Sequence, residues 1–225
     1  MPLRAWLQEQ QYSTPYHWHQ RPNDEREYRL RTDVVLELAG LSPSPSTGER
    51  ARLLDVGCGD GRFSAAATGA ARVVGVDVSQ RALRYAAGLV EGAVFVAADG
   101  ASVPFCAESF DVVVLLDVIE HIPDRDERRA VGEAVRVLRR GGRLVISTNT
   151  DRSARELKHY RHYSLPRFRT LFDGLDRIQL AGVIPYFPTL RFWMAAPITS
   201  RLAASRVRRC APEAAHVVIG SGVKP

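Results

Sequence analysis

The fold of this chain can be predicted from the stretch Leu53-Leu-Asp-Val-Gly-Cys-Gly-Asp-Gly61. Its first four residues predict a buried strand, and the glycines at alternate positions that follow predict a loop whose backbone a ligand can approach closely. Beyond it, short apolar runs alternate with helical segments, which is the pattern of parallel strands joined by crossover helices. The stretch therefore predicts the first strand and the ligand-binding loop of an open α/β sheet.

The remaining elements follow from periodicity on either side of this loop. We predict strands at 52–56, 72–76, 93–97, 110–116 and 143–147, with two further strands at 177–180 and 216–220. Helices are predicted at 28–38, 79–88 and 125–138.

We predict one domain with appendages, because a chain of 225 residues can bury one substantial core but is too short for two enzyme domains of ordinary size. Residues 1–49 are expected to form an N-terminal lid and helical extension that ends in a Pro/Ser linker, and residues 50–225 form the domain. An aromatic, proline-containing insertion is predicted at about 182–212. It would wall an apolar pocket, contact an anionic membrane peripherally through 184–209, or simply pack on the sheet.

The net charge of +6 would suit nucleic acid, but only Lys158 and Lys224 of the 31 basic residues are lysines and acidic residues are interspersed among them. A continuous basic run appears only late, from Arg201 to Arg209. Such an arginine excess more often reflects genome composition than selection for a ligand. We therefore expect a small-molecule partner rather than nucleic acid.

Three widely spaced cysteines, Cys58, Cys106 and Cys210, exclude a disulfide framework and a structural zinc site and indicate a reducing compartment. No apolar signal core and no stretch of ~18 uninterrupted apolar residues is present. We expect a soluble cytoplasmic protein.

The acids around the glycine loop indicate the ligand. The position three after Gly59 is Arg62, whereas a pyrophosphate loop usually has a third glycine there, and Asp55 and Asp60 would repel phosphate. Two carboxylates instead suit a ligand that carries an ammonium and a sulfonium. This departure from the dinucleotide pattern makes an NAD-dependent oxidoreductase the weakest interpretation.

Two more carboxylates follow predicted strands at the same edge of the sheet. Asp77 stands 20 residues beyond Gly57, where it can accept hydrogen bonds from a ribose diol. Asp99 follows the third strand, where it can accept the exocyclic amine of an adenine. The sequence therefore predicts an adenosine-containing ligand at the carboxyl ends of the strands.

Several segments, in this order, resemble the motifs of class I S-adenosylmethionine-dependent methyltransferases over roughly residues 50–150. They are the glycine loop, Gly-Val-Asp77, Ala-Asp99-Gly followed by Val-Pro-Phe105, Phe110-Asp-Val-Val-Val-Leu-Leu-Asp-Val-Ile-Glu-His121, and Leu138-Arg-Arg-Gly-Gly-Arg-Leu-Val-Ile146. The resemblance implies a Rossmann-like, seven-stranded, mostly parallel α/β sheet with helices on both faces and an antiparallel last strand, placed at about 216–220.

The resemblance also assigns residues to the cofactor, S-adenosyl-L-methionine. Gly57, Cys58 and Gly59 would face its methionine part, Asp77 its ribose, and Asp99 with Gly100 its adenine, while Asp55 would orient the loop or meet the amino group. The full predicted cofactor site is Asp55, Gly57, Cys58, Gly59, Asp77, Val78, Asp99, Gly100 and Asp117.

Methyl transfer from a sulfonium is an in-line displacement, so alignment of the reacting atoms carries much of the catalysis. A base is needed only where the acceptor is a protonated hydroxyl, amine or acid. His121 is the best candidate base, with its neighbour Glu120 as the second candidate catalytic residue. The alternative is that this Glu-His pair shapes the turn after the fourth strand.

The spacing of Asp117, Glu120 and His121 also resembles the metal-binding segment of ubiquinone-pathway O-methyltransferases and of small-RNA ribose methyltransferases. A divalent metal such as Mg²⁺ is therefore an alternative, with His159 or His162 completing the ligands. These families usually present Glu at the first position, where this chain has Asp117. The predicted site accordingly includes no metal ligand.

Aromatic and histidine residues are the candidate acceptor contacts. His159, Tyr160 and His162 follow the fifth predicted strand, just before a helix that Ser164 would cap. In the N-terminal cluster of residues 12–19, His17 and Trp18 would lie over the cleft as part of a lid.

The function predicted from these residues is methyl transfer to an oxygen or nitrogen of a small-molecule acceptor, such as a secondary metabolite or a cofactor, lipid or saccharide precursor. The alternatives are an RNA ribose methyltransferase with a divalent metal, and a non-catalytic cofactor-binding partner subunit.

Overall fold

The computed structural model describes residues 6, 9–19, 22–42, 50–153, 156–184 and 207–225. Five α-helices with defined bounds are α1 (Pro22–Ala39), α2 (Arg62–Ala67), α3 (Gln80–Leu89), α4 (Asp124–Val137) and α5 (Leu165–Arg169). Eight strands are β1 (Ala51–Val56), β2 (Ala71–Asp77), β3 (Ala93–Ala97), β4 (Phe110–Leu116), β5 (Leu138–Asn149), β6 (Asp176–Ile184), β7 (Arg208–Cys210) and β8 (Val217–Val223).

All eight strands form a single sheet of order β3-β2-β1-β4-β5-β8-β6-β7. β1 to β5 pair in parallel, whereas β8 runs antiparallel between β5 and β6. The predicted Rossmann-like fold class with an antiparallel last strand is therefore confirmed. The described residues hold one strand more than the seven predicted, because three-residue β7 adds an antiparallel edge beside β6.

The predicted insertion at 182–212 is too wide at both ends. Residues 182–184 belong to β6, and they pair with Arg208–Cys210 in β7. Residues 185–206 lie outside the described part of the chain, as do residues 43–49 of the predicted linker. The hypotheses of an apolar pocket wall and of membrane contact through 184–209 therefore fall mostly on residues that the structure does not describe.

Alternate residues of the strands serve two apolar layers, as expected for a sheet covered on both faces. One layer joins Leu54, Val113 and Ile146 to α4 and to Phe168 at α5. The other joins strand residues of opposite orientation to Val34, Val35, Leu38 and Ala39 of α1 and to Phe63 of α2. The boundary predicted at 49/50 stays a prediction, although α1 packs into the same core as the strands that follow it.

Local sequence explains where the helices near the site begin. The hydroxyl of Ser79 accepts a hydrogen bond from the Ala82 N–H at the start of α3. α4 carries Asp124, Asp126 and Glu127 in its first turn, where carboxylates favour the positive end of the helix dipole. Both helices begin just beyond the carboxyl ends of parallel strands, so their first turns border the same edge of the sheet.

Candidate functional site

A cavity of about 990 Å³ opens at the carboxyl ends of the parallel strands. The structure brings thirteen of the predicted site residues together in its wall: His17, Asp55, Gly57, Cys58, Asp77, Val78, Asp99, Gly100, Asp117, Glu120, His121, His159 and Tyr160. Gly59, Trp18 and His162 lie outside the wall itself. These residues come from six separate stretches of sequence and meet at this one opening, which is where open α/β sheets bind ligands.

The glycine loop has the backbone geometry that its sequence predicts. Gly57 and Gly59 have φ of 74° and 55°, in the left-handed region that favours glycine. A Cβ atom added at Gly57 would lie 2.3 Å from a methyl of Val118, and one at Gly59 would lie 2.6 Å from the Tyr12 hydroxyl. A side chain at either position would collide with the cavity wall, so the loop stays open only as glycine.

Asp77 holds this loop at the end of β2. Its two carboxylate oxygens accept hydrogen bonds from the Gly59 N–H at 2.9 Å and the Ser79 N–H at 2.8 Å. Burial raises the pKa of Asp77, and these two backbone hydrogen bonds oppose that shift. Asp99, after β3, accepts the Ala101 N–H at 2.8 Å, which fixes its turn beside Gly100.

Asp55, at the base of the loop, is 2 % exposed and accepts a hydrogen bond from the Ser64 hydroxyl at 2.7 Å. Burial raises the pKa of its carboxyl to about 7, and the nearby Asp77 raises it further. A cationic ligand beside these two carboxylates would favour their ionised forms. The site is therefore electrostatically suited to a positively charged molecule.

Asp117 follows β4 and adopts a φ of 54°, which is uncommon outside glycine. It forms an ion pair with Arg31 of α1 and accepts a hydrogen bond from the Ser147 hydroxyl at 3.1 Å. Burial alone would raise the pKa of Asp117, but Arg31 outweighs it and the pKa is lowered. The sequence did not identify Arg31, whose partner stands 86 residues away.

Glu120 is fully buried, and both of its carboxylate oxygens have partners on β5. The Thr148 hydroxyl donates to one at 2.9 Å and the Asn149 amide to the other at 3.2 Å. Burial and the neighbouring Asp117 raise the pKa of Glu120 to about 7. These contacts favour a role for Glu120 in fixing the turn over its predicted catalytic role, which stays a prediction.

His121 and His159 form a pair of imidazoles in the cavity wall, with ring centroids 4.7 Å apart in an edge-to-face arrangement. The Nδ1 atom of His159 lies 2.9 Å from the Nε2 atom of His162. Burial lowers the pKa of both His121 and His159 to about 4, so both rings are neutral near pH 7. The Nδ1 atom of His121 is buried and makes no hydrogen bond within the described residues.

Glu120, His121 and His159 are also the residues that could hold a metal ion. Each offers one ligand atom, and these atoms all lie within 4.8 Å of one another. One carboxylate oxygen and two imidazoles form a donor set that transition metals accept more readily than Mg²⁺, which prefers oxygen ligands. Asp117, in the predicted metal spacing, instead pairs with Arg31.

The N-terminal segment 9–19 is fastened to the glycine loop by side chains. The backbone N–H of His17 and its ring Nδ1 both contact the fully buried Asp60 carboxylate, at 2.8 Å and 2.9 Å. The indole N–H of Trp18 donates to the Asp60 carbonyl at 2.9 Å. Arg62 donates to the His17 carbonyl and to Glu25 of α1. Trp18 thus helps to hold the N-terminal segment against the glycine loop, whereas the sequence predicted that it would contact the acceptor.

Tyr12 is a residue that the predicted site omitted. It is 5 % exposed, and its hydroxyl lies against Gly59 of the glycine loop. Burial, with the negative charges of Asp77 and Asp60, raises its pKa well above the usual value, so the hydroxyl keeps its proton. The aromatic density of residues 12–19 was the sequence signal, but it did not indicate which ring faces the loop.

The cavity is acidic although the chain as a whole is basic. Its wall among the described residues holds ten carboxylate side chains and only three arginines or lysines, namely Arg31, Arg62 and Lys158. All three of these cations are paired: Arg31 with Asp117, Arg62 with Glu25 and Lys158 with Glu156. The site therefore attracts cations and repels polyanions.

The strand order, the glycine loop and the acids at the strand ends together define the class I methyltransferase fold. Residues 54–146 match the family model described as a methyltransferase domain. This part of the chain is therefore similar to methyltransferase domains, in agreement with the class that the sequence motifs predicted.

Two curated relatives match about half of this chain. The 27-O-demethylrifamycin SV methyltransferase of Amycolatopsis mediterranei is 37% identical over 123 residues, which are 51% of this chain and 43% of the relative. The ubiquinone biosynthesis O-methyltransferase of Alkalilimnicola ehrlichii is 37% identical over 126 residues, 53% of this chain and 47% of the relative. The matched regions thus span about half the length of the curated relatives.

Among solved structures, the N-methyltransferase NodS from Bradyrhizobium japonicum in complex with S-adenosyl-L-homocysteine superimposes with a TM-score of 0.70. The two chains are covered completely and are 19% identical, so the likeness concerns the fold. No helix in the described ranges is long and apolar enough to cross a membrane.

Proposed function

We propose that this chain is an S-adenosyl-L-methionine-dependent methyltransferase that acts on a neutral or cationic small molecule through an oxygen or nitrogen atom. The observation that carries the proposal is the convergence of the glycine loop, Asp77 and Asp99 on one edge of the sheet, in a cavity that His121 and His159 also line. The methyltransferase-domain match at 54–146 and the two O-methyltransferase relatives support it.

The residues present fit the cofactor. Glycines 57 and 59 leave room against the backbone, and Asp77 retains acceptor capacity for the ribose hydroxyls beside its two backbone hydrogen bonds. Asp99 is available to the adenine amine. When bound, the sulfonium supplies an electrophilic methyl group, and the acids of the cavity favour its positive charge.

The chain's own contribution to the chemistry is alignment and proton removal. His121 lines the cavity with a ring that is neutral near pH 7, so it is a candidate to accept the proton of a hydroxyl or ammonium acceptor. Because its pKa is lowered to about 4, we expect the proton to pass on to solvent rather than to stay on His121. Glu120 is proposed to hold the turn that carries His121.

The charge of the cavity supports a neutral or cationic acceptor over RNA. Nucleic-acid sites use unpaired arginines and lysines to neutralise phosphates. Here the three cations of the wall each have a carboxylate partner, and carboxylates outnumber them. A carboxylated or phosphorylated acceptor would have to displace one of these ion pairs.

The segment of residues 9–19 is proposed to act as a lid that excludes water from the sulfonium. Its attachment to Asp60 and Arg62 supports a closed position over the glycine loop. A cytoplasmic location is proposed as well, supported by the unpaired thiols of Cys58, Cys106 and Cys210.

Calorimetric titration with S-adenosyl-L-homocysteine, with NADH as the control ligand, tests the cofactor. We expect saturable binding of the first and none of the second. Binding of NADH alone would contradict the proposal. Absence of binding by either ligand would also contradict the proposal, whereas binding of S-adenosyl-L-homocysteine without turnover on any acceptor would favour the non-catalytic, cofactor-binding alternative.

A second experiment tests the acceptor class. Purified protein with methyl-labelled cofactor is offered matched phenols, amines and their carboxylated or phosphorylated analogues, and a single-stranded RNA, each with EDTA and with a divalent metal series. We expect transfer to the neutral or cationic members. Transfer to RNA alone, with steep loss at higher salt, would support the RNA alternative.

A further inference from the structure

Arg161 is a buried arginine that none of the predicted site residues includes. It is 4 % exposed, and its guanidinium is saturated with partners from another part of the chain. It donates to the Ile119 carbonyl at 2.7 Å, to the Ile122 carbonyl at 2.5 Å and to the Asp124 carboxylate at 2.6 Å. A fourth contact, at 3.2 Å, reaches the hydroxyl of Tyr163.

The two carbonyls flank His121 on the short 3-10 turn Ile119–His121 and its exit. Arg161 itself lies two residues after His159 and one before His162, whose rings are hydrogen bonded to each other. The backbone joins the same two segments, because the Tyr160 N–H donates to the Glu120 carbonyl at 2.8 Å. One side chain thus connects the segment that carries His121 with the segment that carries His159.

We propose that Arg161 is a positioning residue that sets the relative placement of the His121 and His159 rings at the acceptor end of the cavity. The effect of Arg161 on catalysis rests on the proposed function, whereas its effect on the placement of the two rings does not. Arg161 does not line the cavity, so it acts through the two histidines and not on the acceptor.

The planar fork of a guanidinium explains why an arginine is needed. Its donors point in fixed directions and can meet two carbonyls and a carboxylate at once. A lysine keeps the charge and can retain the ion pair with Asp124, but a single ammonium cannot reproduce the fork. Arg161→Lys should therefore preserve the charge of the segment while it frees at least one of the turn carbonyls.

Arg167 offers a matched control. It bonds the carboxylates of Asp124 and Glu127 at 3.4 Å and 2.9 Å, and so shares Asp124 with Arg161. Within the described part of the chain it makes no hydrogen bond with the carbonyls of the turn, and its side chain is 45% exposed. Arg167→Lys thus perturbs the same acidic cluster without loosening the bridge to His121.

The test is a proton–carbon correlation spectrum of the imidazole rings in the full chain, saturated with S-adenosyl-L-homocysteine. The signals of His121 and His159 are assigned by their loss in His121→Gln and His159→Gln. We expect both signals to move or broaden in Arg161→Lys and to stay in place in Arg167→Lys, with His216 as an internal reference. A folded Arg161→Lys protein with both signals at their original positions would overturn the inference.

Asp124→Asn provides a milder variant in case Arg161→Lys does not fold. Asp124 is largely exposed, and its substitution weakens only one of the contacts of Arg161. The same two histidine signals should then move by a smaller amount, and their invariance would contradict the inference.

Turnover separates this inference from the proposed function. With an acceptor from the screen, Arg161→Lys should lower kcat on the order of 10- to 100-fold at unchanged affinity for S-adenosyl-L-homocysteine, because small misplacements of catalytic groups are costly. Equal loss of cofactor affinity would indicate a general structural role and would overturn the inference. Failure of the original chain to bind the cofactor would instead count against the proposed function.

Discussion

The two ends of the cavity, which we propose bind the cofactor and the methyl acceptor, are built in different ways. The cofactor end comes from strand termini and turns between residues 55 and 100, and its shape depends on backbone features such as the positive φ of Gly57 and Gly59. The acceptor end is assembled by side chains that meet across long stretches of sequence, such as Arg31 with Asp117 and Arg161 with the Ile119 carbonyl. A motif can therefore identify the cofactor end, whereas the acceptor end is defined only by the packing of separate segments.

The largest expected effect separates the two ends most clearly. His121→Asn should lower kcat on the order of 10²- to 10⁴-fold, because it removes the proposed proton acceptor, and should leave the affinity for S-adenosyl-L-homocysteine unchanged. Turnover with labelled cofactor and calorimetry measure the two quantities. His216→Asn, outside the cavity wall, is the matched control. Full activity of His121→Asn would restrict His121 to shaping its turn.

The converse substitution affects the cofactor end. Asp77→Ala should weaken binding of S-adenosyl-L-homocysteine on the order of 100-fold or more, because it removes the acceptor for two ribose hydroxyls and releases the Gly59 N–H. Calorimetry with the exposed Asp173→Ala as control measures the change. An unchanged dissociation constant would remove Asp77 from the cofactor site.

The third prediction concerns the dependence of stability on pH. The pKa of Asp55 rises from 3.8 to about 7 on folding, so the folded state binds a proton that the unfolded chain releases. This contribution to stability is complete below the unfolded pKa and is lost as the pH rises through about 7. Between pH 5 and pH 8 the loss should be about 2 to 3 kcal/mol.

Urea unfolding of the cofactor-free protein at the two pH values measures this effect. Asp55→Asn cannot ionise at this position, so its stability should change less over the interval, whereas exposed Asp173→Asn should follow the original chain. Parallel curves for Asp55→Asn and the original chain would contradict the assigned shift. Saturation with S-adenosyl-L-methionine should also reduce the dependence, since a cationic ligand favours the ionised carboxyl.

The smallest predicted effect tests whether the N-terminal segment belongs to the cofactor end. His17→Ala removes the ring contact with Asp60 but keeps the backbone hydrogen bond. We expect S-adenosyl-L-homocysteine to dissociate about five- to tenfold faster, corresponding to about 1 kcal/mol. Stopped-flow measurement of dissociation checks this against Ser13→Ala, whose side chain is exposed. Equal rates in the two variants would show that the segment does not retain the cofactor.

Much of the fold could be predicted because its signals are local. The predicted bounds of β3 and β4, 93–97 and 110–116, agree with the structure, and β1 and β2 are one or two residues longer than predicted. The seventh strand, β7, was missed because three residues, Arg208–Cys210, are too few to establish a strand pattern. Because β7 was not recognised, its pairing with Gly182–Ile184 was not recognised either. The predicted insertion therefore began at Gly182, inside β6.

The residues of the candidate site likewise divide into those with a local sequence signal and those without one. Asp77 and Asp99 could be expected from their places after strands, whereas Tyr12, Arg31 and Arg161 could not. Each of these three side chains meets its partner across some 40 to 90 residues of chain, and no periodicity or spacing encodes such a contact. Trp18, predicted as an acceptor contact, lies outside the cavity wall, and its indole N–H donates to the Asp60 carbonyl.

Neighbouring residues alone encode the parallel sheet, the open glycine loop and the acids at its edge, because strand alternation, glycine φ values and the termini of strands are local properties. The packing of distant segments is what brings Arg31 to Asp117, β5 to Glu120 and His159 to His121, whose Nδ1 is buried and unpaired within the described residues. Burial and long-range ion pairs set the charge of each of these groups, and both arise from the packing of segments that are distant in the chain.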